Sequence, residues 1–426
     1  MRYTLRGFLL GWALNLATFA MCVAHAQELA PGAQPRPSEY RLHLDSRLGI
    51  ESGVVTLTDA FRLGLRGVDS LDMTAPSARG VMLRIFTFIA VDTAVASYAN
   101  MLPHELFGHG ARTRELGFSD SYRLAPPVPY ALFLSDGFKN TAFWRFGMNL
   151  PATMDEVALL VLGGFAAEEV QLRHLSFTAF RARSLSRGDS LIYLAGPLHL
   201  MRSVGRGGGD ISNYYRHLRE RYGASSARES GLTALSLAAA AADPLLIYSL
   251  YSYFYRYLFR GERAVPYPML RLGNAELSVT NRLLLVPWGR EHQLGVLMGM
   301  PAGNFDTSIR MGEGPGGMSF GLAINAMDIS IGRGVRAVGR LEVFHQPALD
   351  VLQRRSDPSV VPMPVVSGSS SRVLGVGGDI GLELYRGRWL VGTRLGAKTA
   401  GYQVSQPYAP AWTASLTIGT LIEAAN

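Results

Sequence analysis

Cysteine is almost missing from this chain: among 426 residues only Cys22 is one. A disulfide framework and a cysteine-built metal site are both excluded by that count. Charge is sparse as well, at 17% of residues, and the formal balance of +8 is carried by scattered arginines such as Arg181, Arg187, Arg202 and Arg216. There is no dense Lys/Arg run, so no nucleic-acid partner is expected; a basic surface facing solvent, an anionic membrane or a cell wall accounts for the balance. No G-x-x-x-x-G-K-[ST] string occurs, so an ATPase module of that type is not expected.

The N-terminus has a basic start at Arg2 and Arg6, an apolar stretch from Phe8 to Val23, and Ala24-His25-Ala26. This predicts a signal peptide over 1–26, with Cys22 leaving with it. Export without cysteine suits the envelope of a Gram-negative bacterium, in the periplasm or outer membrane; an uncleaved inner-membrane anchor is the other reading. Residues 27–55 read as a Pro-rich linker followed by one short strand, where Tyr40, Leu42 and Leu44 alternate with Arg41, His43 and Asp45.

From 56 to 262 the chain reads as mainly helical, with apolar stretches at 79–102, 156–172, 190–204 and 231–259. The first carries Arg84 and Asp92, and the last carries Asp243-Pro244. An ionisable group at mid-membrane costs about 3 kcal/mol, so buried core helices and membrane-embedded helices are both open. Membrane association of some kind is expected.

From 263 to 426 the texture changes to an antiparallel β-meander or barrel. Phe320/Leu322/Ile324, Ile380/Leu382/Leu384 and Leu416/Ile418 each set one apolar face. In a membrane barrel these faces point outward and Glu383 and Arg394 point into the lumen. In a soluble domain the same faces point inward. The expected fold class is therefore α+β: a mainly helical, zincin-like domain followed by an antiparallel β-domain.

The chemistry concentrates in "PHELFGHG" (103–110). Neutral imidazoles bind Zn²⁺, a third protein ligand completes the set, and a glutamate beside the first histidine can take a proton from water. His104 and His109 are five residues apart rather than four. In a regular helix that spacing sets them about 140° apart, too far to share an ion. A π-bulge, which stacks residues five apart, or a helix start at Pro103 would restore the geometry.

Two further segments follow in order, "GGFAAEE" (163–169) and "GGGDIS" (207–212). Together with HELFGH they resemble the peptidase domain of the AAA-linked, membrane-bound zinc proteases, whose pattern is HExGH, GGRAAEE and an Asp-Ile pair. "LAGPLHL" (194–200) is more distantly similar to a segment of the site-2 intramembrane zinc proteases. The resemblance covers about residues 100–215. It departs by one extra residue in the first motif, by Phe165 in place of Arg, and by His199-Leu200 in place of Ala-Asn. It implies His104 and His109 as zinc ligands, Glu105 as general base and Asp210 as third ligand. Glu168 competes for that third place, since many zinc peptidases take a glutamate from a following helix. His174 and His199 are spare candidates.

The function so implied is hydrolysis of a peptide or protein substrate by zinc-activated water in the cell envelope. The alternative is a non-enzymatic outer-membrane or envelope-assembly protein with a degenerate metal motif, for which the extra residue speaks. A polysaccharide hydrolase would need paired carboxylates, for which Asp155/Glu156 and Glu168/Glu169 are the available pairs.

Overall fold

A computed structural model describes residues 35–69, 76–124, 142–147, 152–206, 209–223, 226–353, 363–364 and 372–423. The expected signal peptide, Cys22 and most of the Pro/Ser-rich stretch 354–372 lie outside them. The N-terminal elements are β1 (Ser38–Asp45), α1 (Ile50–Asp69), α2 (Ala78–Glu115), β2 (Ser119–Leu124) and β3 (Ala142–Gly147). Then come α3 (Met154–Ala182), β4 (Ser184–Ser186), α4 (Arg187–Arg206), α5 (Asp210–Tyr222), α6 (Ser226–Ala241) and α7 (Pro244–Phe259). Strands β5 (Ala264–Pro266), β6 (Leu270–Leu272), β7 (Ala275–Val286), β8 (Gly289–Met300), β9 (Gly303–Glu313), β10 (Ser319–Gly332) and β11 (Val335–Pro347) follow. The last are β12 (Leu352–Gln353), β13 (Met363–Pro364), β14 (Arg372–Arg386), β15 (Trp389–Lys398) and β16 (Ala411–Ile422).

The fold is α+β, dominated by a ten-stranded antiparallel sheet in the order β1-β16-β15-β14-β11-β10-β9-β8-β7-β6. β1, which the sequence sets before the helical region, belongs to this sheet: Ser38 pairs with Ile422 and Asp45 with Ser415. The sheet does not close on itself among the described residues, since β1 and β6 are its two ends. It is strongly curved nonetheless. Eight strand spacings separate β1 from β7, about 38 Å if the sheet were flat. Helix α3 bonds to both: Arg181 reaches Glu39 of β1 at 2.7 Å, and Arg282 of β7 reaches Glu169 at 2.8 Å.

The free edge of β1 is covered by α1. Asp59 Oδ2 accepts from Arg41 N at 2.7 Å, Thr56 Oγ1 accepts from His43 N at 2.8 Å, and Arg62 donates to Glu39 O at 3.0 Å. Residues 56, 59 and 62 lie three apart on one face of the helix, so their side chains follow the strand. An otherwise unpaired edge is thereby satisfied.

The two faces of the sheet have opposite character. Inward lie Arg41, Gln293, Asp306, Arg310, Glu342, Glu383, Lys398 and Thr417, all buried. Outward lie Leu294, Ile309, Phe320, Leu322, Leu341, Val343, Leu382, Val391 and Ile418, all exposed. Inside, Arg41 pairs with Glu383 at 2.7 Å, Arg340 with Glu342 at 2.6 Å, and Arg340 with Glu51 of α1 at 3.1 Å. This is the reverse of a half-buried soluble sheet, in which the apolar side faces the core.

The two ends of the sheet differ as well. At the end holding Ser38 and Ile422, β6–β7, β8–β9, β10–β11 and β14–β15 are each joined by two residues. Gly334 and Gly387 there take φ of 72° and 61°, as tight hairpin turns demand. At the other end β7–β8 is also joined by two residues, 287–288, but the remaining connections are longer: 314–318, 348–371 and 399–410. Helix α3 has 29 residues, about 43 Å of length. Its first residues bind the loop end, where Asp155 accepts from Asp350 N at 2.7 Å and Glu156 from Leu352 N at 2.9 Å. Past its last residue, Arg183 donates to Glu276 at the turn end at 2.9 Å. The helix thus threads the sheet from one end to the other.

Candidate metal centre

Helix α2 carries the histidines where it departs from α geometry. Pro103–His109 is a π-helical segment, and the Gly110 N–H bonds to Glu105 O, five residues back. The extra residue of HELFGH is taken up in this wider turn. As a result the His104 and His109 rings lie 4.8 Å apart at 75°, with their Nε2 atoms 3.2 Å apart.

The Gly-Gly pair of α3 makes room for them. A Cβ on Gly163 would lie 2.5 Å from Gly108 O, and one on Gly164 would lie 2.2 Å from His104 Nε2. Only glycine at these places lets α3 approach the π turn at backbone distance. Phe165, which stands where the resembled family has arginine, sets its ring edge-on to His104 at 5.6 Å.

Asp210 completes the group. Its Oδ2 is 3.2 Å from His104 Nε2 and 3.1 Å from His109 Nε2. It is the first residue of α5; Gly209, not Asp210, holds the N-cap position, so the carboxylate is not spent on capping. Ile211, fully buried, anchors the residue that follows. Burial opposes ionisation of Asp210, but the imidazoles of His109 and His104 hold its carboxyl well below the usual carboxylate range.

The other ring nitrogens are committed elsewhere. His104 Nδ1 lies 2.7 Å from Glu168 Oε1, and His109 Nδ1 lies 2.6 Å from Leu160 O. A backbone carbonyl can only accept, so His109 Nδ1 carries the proton; the ionised Glu168 imposes the same tautomer on His104. When the rings are neutral each Nε2 is a lone pair, and these two and a carboxylate oxygen converge within 3.2 Å; when a ring is protonated, its Nε2–H donates to Asp210 instead. That donor set fits a cation of the zinc type, with three protein ligands and an open position. The side chains of His104 and His109 are about 5% and 2% exposed against 30% for Asp210, so the open side is next to Asp210.

The structure separates the two carboxylates that compete in the sequence. Asp210 faces the Nε2 atoms, whereas Glu168 faces the opposite nitrogen of His104 and so does not join Asp210 and His109. Its Oε1 also meets His199 Nδ1 at 2.6 Å and Asn100 Nδ2 at 3.3 Å. His104, Glu168 and His199 form a second cluster with metal-ligand spacing, joined here by hydrogen bonds. A carboxylate behind a ligating histidine fixes its tautomer and orientation. Asn100 and the Leu160 carbonyl are absent from any sequence reading; Asn100, four residues before His104, carries a helical-spacing signal, and a backbone carbonyl carries none.

The remaining candidates have other partners. His174 bonds Asp59 at 2.8 Å, and Glu169 is paired with Arg282. Asp155 and Glu156 are fully buried and hold backbone N–H groups, which leaves no carboxylate pair facing an open site there. Glu105, next to His104, is half-buried, and its carboxylate has no hydrogen bond or ion pair among the described residues. No family model, curated protein or solved structure matches this chain, so the functional argument rests on the site itself.

Proposed function

We propose that the chain is a zinc-dependent peptidase of the bacterial cell envelope, with a zincin-like site carried on α2, α3 and α5. The observation that carries this reading is the convergence of His104 Nε2, His109 Nε2 and Asp210 Oδ2, each an electron-pair donor, within 3.2 Å. His104, His109 and Asp210 would hold the ion. When bound, zinc acidifies water and polarises a carbonyl.

The residues of the chain supply the rest. Glu168 and the Leu160 carbonyl hold the two imidazoles in the tautomer that presents Nε2. Glu105 takes the proton from the attacking water and hands it to the leaving amine nitrogen. The buried flanks of His104 and His109 keep bulk water away, and substrate enters past Asp210. The π turn weakens the alternative of a degenerate motif, because the residue that spoils the α spacing is the one the wider turn absorbs.

The test is metal content together with one substitution. Wild-type protein is expected to hold one zinc per chain and to cleave a peptide library. Glu105→Gln is expected to keep metal and fold while losing hydrolysis, because an amide cannot accept the proton. Near wild-type cleavage by that variant, or wild-type protein that binds no zinc, would sink the reading.

A further inference from the structure

We infer that the outer surface of this protein is a lipid-facing wall of mixed construction, in which eight strands of the sheet are completed by the outer faces of α1, α2 and α7, and that its partner is the acyl region of a bilayer. The inference stands apart from the hydrolytic reading.

The strands supply the first part. Outward side chains on β1, β8, β9, β10, β11, β14, β15 and β16 are apolar and exposed, from Leu42 round to Leu294. On β14 the outward run extends from Leu374 to Leu384, about 33 Å along the strand and about 24 Å of height at a 45° tilt. Trp389 marks its turn end and Trp412 its loop end, 61% and 80% exposed. Aromatic residues at both margins of an apolar band of about 25 Å are what a bilayer selects. A second protein copy covers about 800 Å² on one side; it cannot cover a band carried by eight strands around α3.

The helices supply the second part. Between β1 and β7 the circuit runs through α1, α2 and α7. The exposed stripe of α1 is Ala60, Leu63, Gly64 and Gly67, with Asp59 and Arg62 turned inside and the half-exposed Arg66 reaching Glu423 O at the turn end. On α2 it is Met82, Leu83, Phe86 and Ile89, and on α7 it is Leu250, Phe254 and Phe259. α2 and α7 pack together through Phe88 on Phe254, with centroids 5.8 Å apart.

The charges that argue against a membrane in the sequence face inward. Arg84 is 0% exposed and donates to Leu258 O at 2.9 Å. Asp92 is 0% exposed and is held by Arg187 and by Tyr253 at 2.5 Å. Ionisable residues of a lipid-facing helix are placed in this way.

The test uses the full chain reconstituted in phosphatidylcholine vesicles with brominated acyl chains, which quench only tryptophan in contact with lipid. Trp389 and Trp412 are expected to lose emission, and the buried Trp288 to keep it. Phe86→Trp and Phe254→Trp, each in a Trp12→Phe, Trp144→Phe, Trp389→Phe, Trp412→Phe background, are expected to lose emission too. Unquenched Trp389 and Trp412 would overturn the bilayer as partner. Quenching there without quenching at positions 86 and 254 would overturn the mixed wall and assign the helical faces to another occupant, such as a second copy. Oxidative footprinting of the unmodified chain in vesicles probes the same two surfaces if a variant misfolds. Met82 and Met311 are expected to be protected and Met318, in the 314–318 loop, to be oxidised; oxidation of Met82 would refute the helical part and of Met311 the strand part.

Discussion

Gly164→Ala tests the proposed metal centre. The new methyl carbon would lie 2.2 Å from His104 Nε2, whereas an ordinary contact is near 3.4 Å, so ring or helix must give way by about 1.2 Å. Metal-ligand distances tolerate about 0.2 Å. Loss of a group that positions a ligating histidine costs about 10–100-fold in metal affinity, or about 1.4–2.7 kcal/mol, and a displaced ring belongs in that range or above it. Alanine in a helix interior favours the helix by up to about 1 kcal/mol, whereas forcing it against the His104 ring costs about 1–3 kcal/mol, so stability is measured beside affinity. The assay is zinc titration against a competing chelator, with circular dichroism to confirm fold. Wild-type zinc affinity in Gly164→Ala would refute the placement of His104 Nε2 at the ion.

Four further outcomes follow from the same contacts. Glu168→Gln, which removes the charge behind His104 Nδ1, is expected to weaken zinc about 10–100-fold without abolishing it; unchanged affinity would deny Glu168 its orienting role. Zinc at about a hundred times its dissociation constant is expected to stabilise the fold by about 2.7 kcal/mol; denaturant curves that coincide with and without zinc would contradict a native-state site. Arg187→Met leaves Asp92 and Asp69 without their shared partner, an expected loss of about 3–5 kcal/mol in unfolding experiments; a change under about 1 kcal/mol would mean the network is not closed. Gly67→Ala, where an added methyl meets open space, is expected to stabilise α1 by up to about 1 kcal/mol, and destabilisation there would show that the position is packed.

The site was legible where side-chain chemistry and spacing meet. The His104/His109 interval asked for either a π turn or a helix start at Pro103; the structure has the π turn, over Pro103–His109, inside a helix that runs on from Ala78. The Gly163-Gly164 pair was visible as a motif, but not its purpose, which depends on a backbone approach across helices. Glu168 and Asp210 could not be ranked, because two carboxylates of equal chemistry are told apart only by which imidazole nitrogen each faces. In the sheet, alternation showed two faces but not which one turned outward. That choice is made by Arg41, Arg310, Glu342 and Glu383, whose inward ion pairs span the chain. Membership of β1 was hidden for the same reason: its partner, β16, lies more than 360 residues away.

That last pairing governs the order of assembly. A contact between Ser38 and Ile422 encloses nearly the entire described chain in one loop, and loop closure of this length is slow. During synthesis β1 emerges first and its sheet partner last. One side of β1 finds its bonds at once in α1, the next element made. The other side waits with open N–H and C=O groups until residues 411–422 arrive, and exposed strand edges in a waiting chain are where aggregation starts. Truncating the chain before β16 should therefore yield not a smaller folded protein but one dependent on chaperones, with open edges both on the distant first strand and on β15 at the cut.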